Sequence, residues 1–145
     1  MTGLTGFYAR WALPAAGVLL ALATVAGALG APAFAGEWSA STPSIYDTAV
    51  RYQFYQSLGR LGMGLRLRSF HPDQLASGRR MTVQSLARAP GVLFLGIILF
   101  CGSLYALSLG ATARWIGIAT PVGGAMLILG WLEFAYGAWR VRRLS

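Results

Sequence analysis

Long charge-free apolar runs alternate with short arginine-rich interruptions along this chain. The longest apolar stretch, Gly91 to Trp131, is broken only at Arg114. No charge occurs from Ala89 to Ala113, and none from Trp115 until Glu133. A helix needs about eighteen or more apolar residues to cross roughly 30 Å of hydrocarbon. Inside lipid every backbone N–H and C=O must be satisfied within its own segment, so each run predicts a helix. The expected spans are about 90–111 and 115–139, with Pro90 as a favoured first helical residue and a bend, if any, at Pro121.

An earlier uncharged run, Trp11 to Gly36, follows Arg10. Two readings compete for it. The basic start, apolar middle and Ala33-Phe34-Ala35 suit a cleaved signal peptide, but a typical signal core is about 7–15 residues and this run is longer. Ala23, Gly27 and Ala31 recur every four positions, as they would on the packed face of a retained helix over about 11–35. Pro32 marks the end of that helix, and Gly36 to Pro43 reads as a short polar loop.

Ile45 to Ser69 is long enough to span, yet it carries Asp47, Arg51 and Arg60, with Arg66 and Arg68 at its end. Helical spacing sorts these residues. Ala49, Gln53, Gln56, Arg60 and Met63 fall three and four apart on one stripe, while Tyr52, Phe54, Tyr55, Leu58 and Leu61 lie elsewhere. A helix over about 46–68 could bury that stripe against other helices. An amphipathic helix lying in the membrane interface is the rival. Two further small-residue faces are expected to pack helices: Gly102, Ala106 and Gly110 four apart, and Gly123, Gly130 and Gly137 seven apart.

Charge then supplies the topology. The chain has twelve basic residues, all arginine, against four acidic ones, and only 11% of residues are charged. A soluble domain averages about 25%. With four helices, one side collects Arg10, Arg66, Arg68, Arg79, Arg80, Arg88, Arg140, Arg142 and Arg143, whereas the other has Arg51 and Arg114. That is the positive-inside pattern with both termini cytoplasmic, and it explains the basic charge without nucleic acid. The expected fold class is all-α membrane: one four-transmembrane-helix bundle over residues 1–145, multi-pass in a bacterial inner membrane.

Chemistry is sparse. The lone histidine, in His71-Pro72-Asp73, falls in the polar stretch Phe70 to Arg88, where a proline turn explains it; the tripeptide also occurs in J-domain cochaperones, but no soluble helix follows here. Cys101 sits inside an apolar run and reads as a small packing residue. No His, Cys, Asp and Glu cluster has metal-ligand spacing, so neither catalysis nor a cofactor is expected. Arg60 and Glu133 both fall about 6–9 Å to the cytoplasmic side of their helix midpoints at about 1.5 Å per residue. They are therefore expected to meet as an ion pair within the bundle.

Several stretches resemble the YgdD/YwdK-type family of small four-helix bacterial membrane proteins of unknown function. They are Gly27-Ala28-Leu29-Gly30-Ala31, Thr48-Ala49-Val50-Arg51-Tyr52-Gln53-Phe54-Tyr55, Phe100-Cys101-Gly102-Ser103-Leu104-Tyr105 and Ala119-Thr120-Pro121-Val122-Gly123-Gly124. The resemblance touches all four segments and implies that the first helix is retained. It also shows departures: Pro32 and Gln56 stand where the family typically has histidines, so no histidine role carries over. The family lends architecture and no reaction. The expected function is a structural or accessory subunit of a larger membrane complex, with the bilayer and other membrane subunits as partners. The alternative is a small-solute or proton transporter using Arg60 and Glu133.

Overall fold

A computed structural model describes residues 3–33, 42–68 and 80–143, all helical except for one turn. Among these residues four helices follow in order: α1 Gly3–Ala33, α2 Thr42–Arg68, α3 Arg80–Ser108 and α4 Arg114–Arg143. Three of them are long and apolar enough to cross a membrane, over Arg10–Gly30, Leu86–Ser108 and Arg114–Arg140. At 27 residues α2 is long enough as well, since at about 1.5 Å per residue it reaches about 40 Å. Its polar side chains keep it out of that class. The expectation of four spans thus meets a structure with four long helices and three apolar ones.

Pro90 lies inside α3 rather than at its start, so that helix begins ten residues earlier than expected. Proline lacks one donor and clashes with one carbonyl, which a helix supported by neighbours can absorb. The presumed polar stretch Phe70 to Arg88 is therefore helical from Arg80 onward, while His71-Pro72-Asp73 lies outside the described residues. Pro121 is likewise inside α4.

The helices run up and down. Gly123 of α4 meets Phe100 of α3, Gly130 meets Leu93 and Gly137 meets Leu86, so this pair is antiparallel and closely fitted. Gly64 of α2 lies on Ala12 and Leu13 of α1, and Gly30 lies on Tyr46, which makes that pair antiparallel too. α2 nests between α1 and α3, and α4 packs on another side of α3. The core lies between α1, α2 and α3 and is closed by α4, with Leu19, Met63, Ala89, Leu93, Ile97, Cys101 and Leu127 buried together. This arrangement brings the start of α1, the end of α2, the start of α3 and the end of α4 to one end of the bundle. Exposed Arg10, Arg66, Arg68, Arg88 and Arg140 stand there, and exposed Arg51 and Arg114 stand towards the other.

One turn joins the hairpin of α3 and α4. Gly110 has φ of 85°, the left-handed conformation that glycine adopts without steric cost. Its N–H donates to the Leu107 carbonyl (3.1 Å), and the Ala111 N–H donates to the Ala106 carbonyl (2.9 Å). This is a Schellman end, which satisfies carbonyls that the last turn would leave unpaired. Gly110 therefore shapes a turn and packs against no helix. Gly102 is exposed as well, and a Cβ there would meet nothing within 4 Å. The seven-spaced glycines of α4 are different. A Cβ at Gly123 would run into the backbone of Phe100. Gly123→Ala should therefore lower resistance to unfolding in detergent by about 1–3 kcal/mol. Gly102→Ala should be neutral or stabilising by up to about 1 kcal/mol. Equal effects at the two positions in SDS titrations would show that α3 and α4 do not meet on this face.

Candidate functional site

The buried face of α2 carries three polar side chains, Gln53, Ser57 and Arg60. Ala49, Gln53, Ser57, Arg60, Met63, Gly64 and Leu67 are buried, at spacings of three and four, so they line one side of the helix. Gln56 sits half-buried at the edge of that side. In a bilayer such a face is tolerable only if the protein supplies its hydrogen-bond partners.

Gln53 finds a partner for both its nitrogen and its oxygen. Its Nε2 donates to the Leu19 carbonyl of α1 (3.0 Å). Its Oε1 accepts from the Tyr105 hydroxyl of α3 (2.9 Å). One amide thus ties three helices. Tyr105 also meets the Tyr46 ring edge-on at 5.3 Å, and the Tyr46 hydroxyl donates to the Ala26 carbonyl (2.9 Å). One turn further along, the Ser57 hydroxyl donates to the Gln53 carbonyl (2.6 Å). Gln56 faces elsewhere, and its Oε1 accepts from Trp131 Nε1 of α4 (2.7 Å). A second polar stitch joins α3 to α4, where the Ser103 and Thr120 hydroxyls lie 2.7 Å apart.

Above Gln53 a groove of about 550 Å³ opens between α1 and α3. Leu22, Val25, Ile98 and Leu109 wall it, with Tyr46 and Tyr105 beside Gln53. The Gln53 amide and the two tyrosine hydroxyls are already hydrogen-bonded within the bundle, so the groove presents a hydrocarbon surface.

Arg60 and Glu133 are not brought together. Among the described residues Asp47 and Arg51 form an exposed ion pair at 2.7 Å, and neither Arg60 nor Glu133 takes part in one. The Arg60 guanidinium lies over the Phe94 ring, 4.5 Å from its centre, and is only 5% exposed. Its Nε and Nη1 have no hydrogen-bond partner. The reason is the order of helices around α3. α4 turns Trp131 towards α2, against Gly59 and Gln56. Two residues on, at about 100° per residue, Glu133 has rotated to the opposite flank. Equal depth along the bundle could be read from spacing, but the flank could not. Gly59, Gly64 and Gly96 also escaped the sequence reading, because their partners Trp131, Leu13 and Leu127 lie on other helices. Cys101 is buried in the core as a small apolar residue. Among the described residues no group of three or more His, Cys, Asp or Glu side chains could hold a metal ion.

Comparisons with known proteins agree on one family. The model described as "Protein of unknown function (DUF423)" matches residues 26–124. A UPF0382 membrane protein of Staphylococcus saprophyticus is 35% identical, over 89% of this chain and 95% of its own length. The UPF0382 membrane protein YwdK of Bacillus subtilis is 32% identical over 81% of this chain and 86% of its own. The UPF0382 inner membrane protein YgdD of Escherichia coli is 31% identical over 81% and 80%. No solved structure matches.

Two substitutions separate the satisfied polar group from the unsatisfied one. Gln53→Leu should cost about 1–2 kcal/mol, and a cycle with Tyr105→Phe should show coupling of about 0.5–1 kcal/mol, typical of interhelical hydrogen bonds in bilayers. Arg60→Met should instead stabilise the fold by about 1–3 kcal/mol, because it removes a buried charge that lacks a counter-ion. Its effect should add to that of Glu133→Leu. A double mutant that recovers a loss seen in each single one would mean that the two charges do pair.

Proposed function

The chain belongs to the DUF423 family of membrane proteins of unknown function, and from that premise we propose that it is a structural or accessory subunit of a larger inner-membrane complex. It is a multi-pass membrane protein, whose four described helices are fastened together by glycine contacts and a few internal hydrogen bonds. The observation that carries the reading is the position of α4. It rests on α3, touches α2 through Trp131, and leaves large side chains such as Ile118, Leu129 and Leu132 about 60% exposed along its length. A helix held from one side offers a ready face to another subunit. The proposal is of a non-enzymatic protein without a cofactor.

In the same reading α2 spans with the others as a fourth transmembrane helix, its polar face turned inward. Both termini are cytoplasmic, because the arginine-rich end of the bundle belongs on that side. A second reading, transport of a small solute or protons using Arg60 and Glu133, is favoured by one observation. Arg60 is buried without a hydrogen-bond partner for Nε and Nη1, and intramembrane charges of this kind commonly mark pathways.

Two experiments test this. Reporter fusions after Ser145 and within residues 77–80 should report the cytoplasm, and one within residues 39–44 the opposite side; a fusion after Ser145 on the far side would refute the topology. The tagged chain, at native expression in mild detergent, should run with a stoichiometric partner. A monomer or a symmetric homo-oligomer would favour transport instead.

A further inference from the structure

The outward side of α4 carries a regular pattern. From Trp115 to Tyr136, exposed residues recur at alternating spacings of three and four, including Ile118, Val122, Leu129 and Leu132. Such spacing is that of the seam along which two helices interlock, with the residues beside the seam setting partner choice. Bilayer lipid alone could cover an apolar seam. It could not suitably cover what lies beside it. Glu133 flanks the seam next to Leu132, half-buried, and takes part in no hydrogen bond or ion pair among the described residues.

Among the described residues no cation pairs with that carboxylate. The residues one turn away on α4 are Leu129, Gly130, Tyr136 and Gly137. Arg140 lies over the Tyr136 ring, 5.0 Å from its centre. Arg88 stands at a similar level on α3, exposed and unpaired with Glu133. Arg60 lies towards the opposite flank, over Phe94. A second copy meeting the first along the same seam, in the same membrane orientation, would set Ile128 or Ala135 against Glu133. Neither carries charge.

We propose that the Ile118–Tyr136 seam of α4 is a docking surface for a transmembrane helix of a different protein, one that carries a single arginine or lysine facing Glu133. This rests on the accessory-subunit reading and specifies the partner's chemistry. The seam supplies packing area. The buried charge pair supplies register and selectivity, because a helix without the cation would leave Glu133 unpaired in hydrocarbon. The glycine face of α4 holds the helix rigidly on α3, so the seam is presented in one orientation.

The test places a photo-crosslinking residue in the full chain in its native membrane, at Leu129 or Leu132, and at Val18 of α1 for comparison. The α4 positions should cross-link to a transmembrane peptide of another protein, whose sequence contains an intramembrane Arg or Lys. Glu133→Gln should cut that yield by about tenfold or more, as loss of a desolvated charge pair does. Reversing both charges, with Glu133→Arg and the partner's cation replaced by Glu, should restore it. Cross-links from α4 to lipid alone, to another copy of this chain, or at a yield unchanged in Glu133→Gln would overturn the proposal. If Val18 captures a protein partner and α4 does not, the subunit reading stands and this surface falls; if neither does, both fall.

Discussion

Gln53 occupies the position on which the rest of the bundle depends. A side-chain amide inside a membrane protein has two donors and an acceptor to satisfy, and lipid offers it nothing. Here the amide reaches α1 through the Leu19 carbonyl and α3 through the Tyr105 hydroxyl, so α2 can keep its polar face only where those two helices flank it. That requirement places α2 between them and leaves α4 to pack on another side of α3. There it finds Leu86, Leu93 and Phe100 opposite its own glycines. Apolar side chains gain little by leaving hydrocarbon for hydrocarbon. Close backbone approach and internal hydrogen bonds therefore carry the specificity.

Seen this way, the two intramembrane charges are different kinds of feature. Arg60 lies on the same face as Gln53, yet it finds the Phe94 ring rather than an anion. The ring face offers electrostatic attraction but satisfies none of the guanidinium's hydrogen bonds. Glu133 lies on the far flank of α4, beside exposed apolar residues. One charge is sealed in without a counter-ion, and the other is half-buried at the edge of an exposed apolar face. Ionisable groups within a membrane span ordinarily face protein or a water-filled cavity rather than lipid.

Much of the architecture could be read from the sequence, because uncharged runs and the sidedness of the arginines are one-dimensional signals. The stripe through Ala49, Gln53, Arg60 and Met63 could be read for the same reason, since helical spacing alone places these residues together, with Gln56 at the edge. Pro90 misled, because proline marks helix starts in water while neighbours can support it within a packed membrane helix. Gly102 and Gly110 misled in another way. Small residues four apart mark a packing face only if another helix lies over them, and here one faces open space while the other shapes a turn. The Arg60–Glu133 pairing failed at the same point. Depth follows from counting residues, but the flank a residue faces depends on the order of helices around α3.

In the proposed topology α2, the least apolar helix, crosses the membrane with its polar face enclosed by α1 and α3. A cysteine scan along Ala49–Met63, made in Cys101→Ser protein and probed with membrane-impermeant thiol reagents from each side, tests it most directly. The account predicts that cysteines at Gln53, Ser57 and Arg60 resist labelling from both sides. Those at Tyr52, Tyr55 and Leu58, which are 44–63% exposed, should lie against lipid and likewise escape water-borne reagents. A continuous stripe labelled from one side along the whole helix would mean that α2 lies in the interface, and would contradict the account.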